Sequence, residues 1–234
     1  ASMGPPARQL AARPAGPMRP GDSHAVNDPY HGGTHLPDVT VVTPVFDDDG
    51  GRVLFYLASR GHHAEIGGLT PGSMPAFSRT LEEEGVLLDT WLLARGGQVR
   101  EAETRALLTE GRYPSRSPEV NLADLRAQIA ANAKGEAEVR AMIEHFGLEV
   151  VLAYMRHVQD NAEEAVRRVI DALEDGAYEY ETDGGARIAV RVTVDRVARE
   201  ATIDFTGTSG QLSSNLNAPA AVTTAAVLYV FRTL

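Results

Sequence analysis

Two β-branched and aromatic runs, Asp38–Phe46 and residues 52–60, are joined by Asp47-Asp48-Asp49-Gly50-Gly51. An acidic, glycine-ended turn between such runs predicts an antiparallel hairpin. The second run is almost continuously apolar over 53–58, which predicts a central place in a sheet. The segment entering the first strand and the segment leaving the second must emerge at the same end of the pair. Those two segments, NDPYHGGTHLPD over 27–38 and SRGHHAEIGG over 59–68, hold four of the seven histidines. A lone loop histidine is ordinarily solvated. Two dense segments meeting at one hairpin end instead suggest a divalent metal site, in which His35 or Asp38 lies close to His62 or His63. Adjacent His62 and His63 point to opposite faces if extended, so only one of them is expected to ligate directly. His31 is open to either a supporting or a substrate-contacting role.

Composition narrows the chemistry. Cysteine is absent, which removes disulfides, thiolate nucleophiles, zinc ribbons and iron–sulfur clusters together. The net charge of −10, from 32 acids and 22 bases, argues against a nucleic-acid partner. Lys134 is the sole lysine, so no Schiff-base or phosphate-loop lysine is available. No apolar stretch is long enough to span a membrane, and the first twenty residues lack the apolar core of a signal peptide. A cytoplasmic location follows as the default expectation. At 234 residues, 43% hydrophobic and 23% charged, the chain suits an ordinary packed core.

Beyond the hairpin, a glycine- and proline-rich loop over 61–75 leads to an acidic stretch and a short apolar segment around Trp91. Ser117 and Pro118 mark a helix start, with Leu122, Leu125 and Ile129 at helical spacing. A second helix is expected to carry Val139, Met142, Ile143 and Phe146 and to end at Gly147. The third, from about 149 to 174, has the apolar stripe Val151, Met155, Val158, Ala162, Val166, Val169 and Leu173. Strands of an antiparallel meander follow over 178–180, 187–194 and 201–206. The apolar stretch 218–234 reads as a buried helix stopping in mid-course, so the chain is expected to be a piece of a longer protein. The expected fold class is mixed α/β of the α+β kind: an N-terminal hairpin with metal-site loops, central helices, then the meander. Residues 1–234 are read as one partial domain truncated at both ends.

A second polar constellation lies on the third helix. Spacings of three and four put His157, Asp160 and Glu164 on one face, beside Gln159, Asn161 and Asp171. Such a face is either solvated or, with Tyr154, His157 and Asp160, turned toward a cleft. Other devices fail: there is no G-x-S-x-G elbow, and GGLTPGS over 67–73 lacks the Gly-Lys-Ser/Thr of a phosphate loop. If ATP is used, a different chain is expected to bind it.

These segments resemble the hydantoinase B/5-oxoprolinase family, which includes N-methylhydantoinase B subunits and, more distantly, the acetone carboxylase α subunit. The resemblance is carried by NDPYHGGTHLPD, SRGHHAEIGG, PGSMPAFS (71–78), EEEGV (82–86), NLADLRAQIAANAK (121–134), YMRHVQDNAEE (154–164) and IDFTGTS (203–209). They occur in family order across nearly the whole chain.

The resemblance implies the B-type subunit of an ATP-dependent cyclic amidohydrolase. A hydantoinase A-type partner would use ATP and magnesium to activate a small cyclic amide. The B subunit would open the ring at a site holding manganese, zinc, iron or cobalt, within a hetero-oligomer that involves neither nucleic acid nor membrane. Carried over by residue, the metal ligands fall on His35, Asp38 and His62. His31 and Asp28 would shape the pocket, His157 and Asp160 would support it, and His63 is a further candidate catalytic residue. Glu65 stands where relatives commonly have aspartate, which leaves its role open. The alternatives are a carboxylase α-type subunit and a non-catalytic scaffold for the A-type partner.

Overall fold

The computed structural model describes residues 4–12 and 17–234, and residues 1–3 and 13–16 lie outside the description. The elements in chain order are α1 Gly4–Ala12, β1 Ser23–Val26, a 3-10 turn Pro29–His31, β2 Asp38–Phe46, β3 Val53–His62, α2 Leu81–Glu84, β4 Trp91–Arg95 and β5 Gln98–Val99. There follow α3 Glu101–Thr109, α4 Pro118–Phe146, α5 Leu148–Ala172, β6 Gly176–Glu181, β7 Arg187–Asp195, β8 Glu200–Asp204 and α6 Ala220–Thr233. Mixed helices and antiparallel sheets bear out the expected α+β class. The chain divides into two compact units, Ala1–Ala141 with Ser213–Ala226, and Met142–Leu212 with Val227–Leu234.

The first unit is built on a five-stranded antiparallel sheet of order β3-β2-β1-β4-β5. The predicted hairpin is β2–β3, its ladder starting at Asp38 opposite His62. Every residue of β2 after Asp38 is buried, because β1 and β3 flank it while α1 packs against it. Leu122 and Leu125 of α4 join Ala25, Val39, Val41 and Leu93 in the core beneath the sheet. The apolar run 53–58 is not central as expected. It belongs to β3, which lies at the end of the strand order with its side chains only half-buried. A continuous apolar run reports the need for cover, not a position in the order. β2 is the interior strand of the hairpin because β1, too short for a periodicity signal, pairs along its other side and itself takes the middle of the sheet.

The two helices expected between 117 and 147 are one. α4 begins at Pro118 as predicted, but it runs unbroken through Gly135 to Phe146. Glycine in a helix interior costs about 1 kcal/mol relative to alanine, which tertiary packing offsets. Gly135 faces Leu57 of β3, where a Cβ would sit 3.6 Å from Cδ1. The chain then turns at Gly147, with φ of 83°.

In the second unit, α5 lies beside the β6-β7-β8 meander. Arg167 on α5 donates from Nη1 to the carbonyls of Ala198 and Arg199 at 2.9 and 3.0 Å. Arg199 reaches back to Asp171 and Glu164, so part of the polar face of α5 ties down the β7–β8 turn. Of the apolar stripe predicted there, Val151 is buried but Val158 is exposed. The helix expected to be buried over 218–234 is α6, in which Ala221 is buried while Tyr229 and Val230 are exposed. Alanine- and valine-rich composition records a demand for cover that the described residues do not meet. Among the described residues no helix is long and apolar enough to cross a membrane.

Candidate metal centre

The site forms at the open end of β2–β3. The Asp38–His62 register pair brings the loop before β2 against the end of β3. Asn27, fully buried, fixes that loop: its Nδ2 donates to the carbonyls of Leu36 and Val86, and its Oδ1 accepts from Leu88 N–H. Gly33 then passes so close to Asn27 that a Cβ would lie 2.4 Å from its carbonyl oxygen. Only glycine fits there, and this tight passage delivers His35 to the site.

His35 Nε2 lies 3.1 Å from His62 Nε2, with the ring centroids 5.0 Å apart. Ser73 Oγ stands 3.1 Å from each of the two nitrogens. Asp38 Oδ2 accepts a 2.8 Å hydrogen bond from Thr34 Oγ1 and lies 3.8 Å from His35 Nδ1 and 3.9 Å from the Arg60 guanidinium. His35, Asp38 and His62 each place a ligand atom within 4.8 Å of the others. Burial lowers the pKa of His35; the Asp38 carboxylate opposes this, while His62 and Arg60 add to it. The imidazole is thereby favoured in its neutral form, with a free lone pair, as ligation requires. The donor set, nitrogen and oxygen without sulfur, suits a divalent first-row metal. Two nitrogens around a tetrahedral zinc at 2.0–2.1 Å lie about 3.3 Å apart, so the observed convergence fits a shared ion.

A second group lies on the 3-10 turn. His31 Nδ1 donates to Asp28 Oδ2 at 2.6 Å, while Asp28 Oδ1 accepts from Tyr30 N–H at 2.9 Å. Asp28 is buried, and Asp89 brings another carboxylate into the same cluster. With Nδ1 committed to Asp28, Nε2 is the His31 nitrogen left for another contact.

His63 does not join either cluster. It is buried against α4, where Asn121 Nδ2 donates to its Nδ1 at 3.0 Å and Gln128 Oε1 stands 3.4 Å from its Nε2. Its pKa is lowered by burial, with Gln128 opposing. Alternation along an extended chain separates the pair: His62 faces the site and His63 the helix. Glu65 lies nearby as a hub. Burial alone would raise its pKa, but hydrogen bonds from Ser115, Gly67 and Arg116 hold it below the usual carboxylate range. Gly67 must be glycine here, since a Cβ would lie 2.3 Å from the Tyr113 carbonyl oxygen at a φ of 88°.

His157 and Asp160 sit on α5 in the other compact unit. Both are exposed, 4.0 Å apart, with the Tyr154 ring edge-on to His157. Motif reasoning did not single out Ser73 or Asp89. Ser73 lies within PGSMPAFS, a segment that carried the family resemblance and a glycine- and proline-rich loop but no ligand assignment.

The sequence profile of the hydantoinase B/oxoprolinase family matches residues 1–234. The chain belongs to the hydantoinase B/oxoprolinase family. This hydantoinase B/oxoprolinase chain is 42% identical to 5-oxoprolinase 1 of Arabidopsis thaliana, over 93% of its own length and 19% of that protein. It therefore spans about a fifth of such a relative. The crystal structure of ATP-dependent caprolactamase from Pseudomonas jessenii superposes with a TM-score of 0.80 at 25% identity, over 97% of this chain and 39% of that one. A nucleotide-free acetone carboxylase structure matches with a TM-score of 0.78 at 17% identity, over 97% and 31%. That second likeness is one of fold.

Proposed function

We propose that this chain carries the ring-opening site of an ATP-dependent cyclic amidohydrolase, with His35, Asp38 and His62 holding a divalent transition metal. The observation that carries the reading is the convergence of His35 Nε2 and His62 Nε2 at 3.1 Å beside Asp38, in a member of this family. A relative named 5-oxoprolinase and a structural neighbour named ATP-dependent caprolactamase support a lactam or hydantoin as substrate.

An unactivated cyclic amide resists water because resonance stabilises its C–N bond. In the proposed scheme an A-type partner phosphorylates the amide oxygen with ATP and magnesium, making the carbonyl carbon electrophilic. His35, Asp38 and His62 would hold the divalent ion, which would supply Lewis acidity that lowers the pKa of water toward ~7. His31, held by Asp28 through Nδ1, accepts the proton of the attacking water and returns it to the ring nitrogen as the C–N bond breaks. This leaves an acyl phosphate that a second water hydrolyses to carboxylate and phosphate. His63 acts through α4 by holding the end of β3 in place. His157 and Asp160, exposed on α5, keep a supporting role. The complex works in the cytoplasm as a hetero-oligomer.

Metal content of the complete gene product, wild type beside His35→Ala, tests the reading. A stoichiometric transition metal in the wild type that disappears in the mutant is expected. Metal absent from both after metal-replete purification overturns it and favours a scaffold that holds the A-type partner.

A further inference from the structure

His35 Nε2, His62 Nε2 and Ser73 Oγ form an equilateral triangle with 3.1 Å sides. Two-centre hydrogen bonds cover at most two of the three sides. Each imidazole Nε2 presents a single in-plane site to its two neighbours, while the serine hydroxyl can serve both nitrogens. The third side is then a close polar approach with no two-centre bond of its own. Three potential ligand atoms grouped this closely form an arrangement that a cation can accommodate. Donors on adjacent corners of a tetrahedral or octahedral first-row ion lie about 3.0–3.4 Å apart, which includes the observed spacing.

The loop that brings Ser73 in is anchored on both sides. Gly68 N–H donates to the Tyr113 carbonyl and Leu69 N–H to the Glu83 carbonyl. Arg116 Nη2 donates to the Gly68 carbonyl. On the far side, the backbone N–H and the hydroxyl of buried Ser78 both donate to the Pro75 carbonyl. Half-buried Ser73 is thus presented by a fastened loop.

We propose that Ser73 is a further protein donor to the divalent cation held by His35 and His62, its Oγ closing one triangular face of the coordination shell. This rests on the metal reading of the two histidines. It assigns the 69–75 loop a share in metal affinity.

The test uses the complete gene product, stripped of metal and titrated with cobalt(II) against a competing chelator while its visible spectrum is followed. Ser73→Ala is expected to weaken cobalt binding about tenfold or more and to shift the visible bands. Ser73→Thr, which keeps the hydroxyl, retains wild-type affinity and spectrum. Cobalt binding and bands unchanged in Ser73→Ala overturn the proposal, even if turnover falls, because the hydroxyl would then act on substrate alone. His35→Ala separates the two failures. If it loses cobalt while Ser73→Ala keeps it, only the serine assignment is wrong. If His35→Ala also binds like wild type, the metal reading itself has failed and the serine assignment with it.

Discussion

His35 and His62 are 27 residues apart in sequence, yet their Nε2 atoms stand 3.1 Å apart, because the β2–β3 register sets Asp38 opposite His62. The pairing converts two ordinary loop histidines into one donor set. A one-residue slip would turn His62 toward the face that His63 now occupies and dismantle the site. On the proposed function, His35→Ala and His62→Ala are each expected to lose bound metal and ring opening, while ATP hydrolysis by the proposed A-type partner persists in part. Elemental analysis alongside separate assays of ring opening and phosphate release checks this. Equal loss of both activities would point to a structural role.

Asp28 and His31 make a different prediction, because their bond fixes a tautomer and leaves the metal donors untouched. His31→Ala is expected to lower kcat about 10²–10⁴-fold, the usual worth of a positioned proton acceptor, with metal content retained. Asp28→Asn keeps an acceptor for the Tyr30 N–H and is expected to reproduce part of that loss. Loss of metal from either variant, measured in the same samples as kcat, would place the pair in the coordination shell instead.

His24 should make stability depend on pH. It is buried in β1, and among the described residues its Nδ1 has no hydrogen-bond partner. Burial lowers its pKa below 6.5, opposed by Asp22. The native state therefore holds the neutral ring, while the unfolded chain takes up a proton near 6.5. The stabilising contribution is complete above that pH and is lost as pH falls through it toward the depressed folded value. Urea midpoints of the complete protein, in the presence of a chelator, are expected to drop between pH 7.5 and pH 5.5. The drop should be smaller in His24→Gln; an equal drop in both would assign the effect to other groups.

Asn121 ties the other face of the histidine pair to α4, donating to His63 Nδ1 and the Glu65 carbonyl and accepting from the Ser115 hydroxyl. Asn121→Ala leaves buried polar atoms without partners and is expected to cost about 1–3 kcal/mol, read as a lowered urea midpoint. Metal content at neutral pH should survive, since His35 and His62 do not bond to Asn121. Stability unchanged in this variant would mean that water replaces the amide and that α4 is not the clamp on His63.

Much of this architecture is readable from local pattern. The acidic turn marked the hairpin, Ser117-Pro118 marked the start of α4, and alternation marked the meander. These signals lie within a few residues of one another and reflect backbone preference and single-face burial. Other elements left no such trace. β1 has four residues and β5 two, too few for a period to register. Two apolar patterns read as separate helices belong to the single α4, which runs unbroken through Gly135.

The sequence alone determined which residue types were available for chemistry: no thiol, one lysine, and histidines gathered on the two segments flanking a hairpin. Residue identity and strand pairing are local or near-local properties, so they survive in the linear order. Only the tertiary structure decided how those residues divide the work. It turned His62 to the donor cluster and His63 to Asn121 and Gln128, added Ser73 through a loop anchored at Tyr113 and Glu83, and brought Asp89 to His31. Each of these depends on contacts between segments far apart in the chain. Burial and register set such contacts, and no spacing rule in the sequence encodes them.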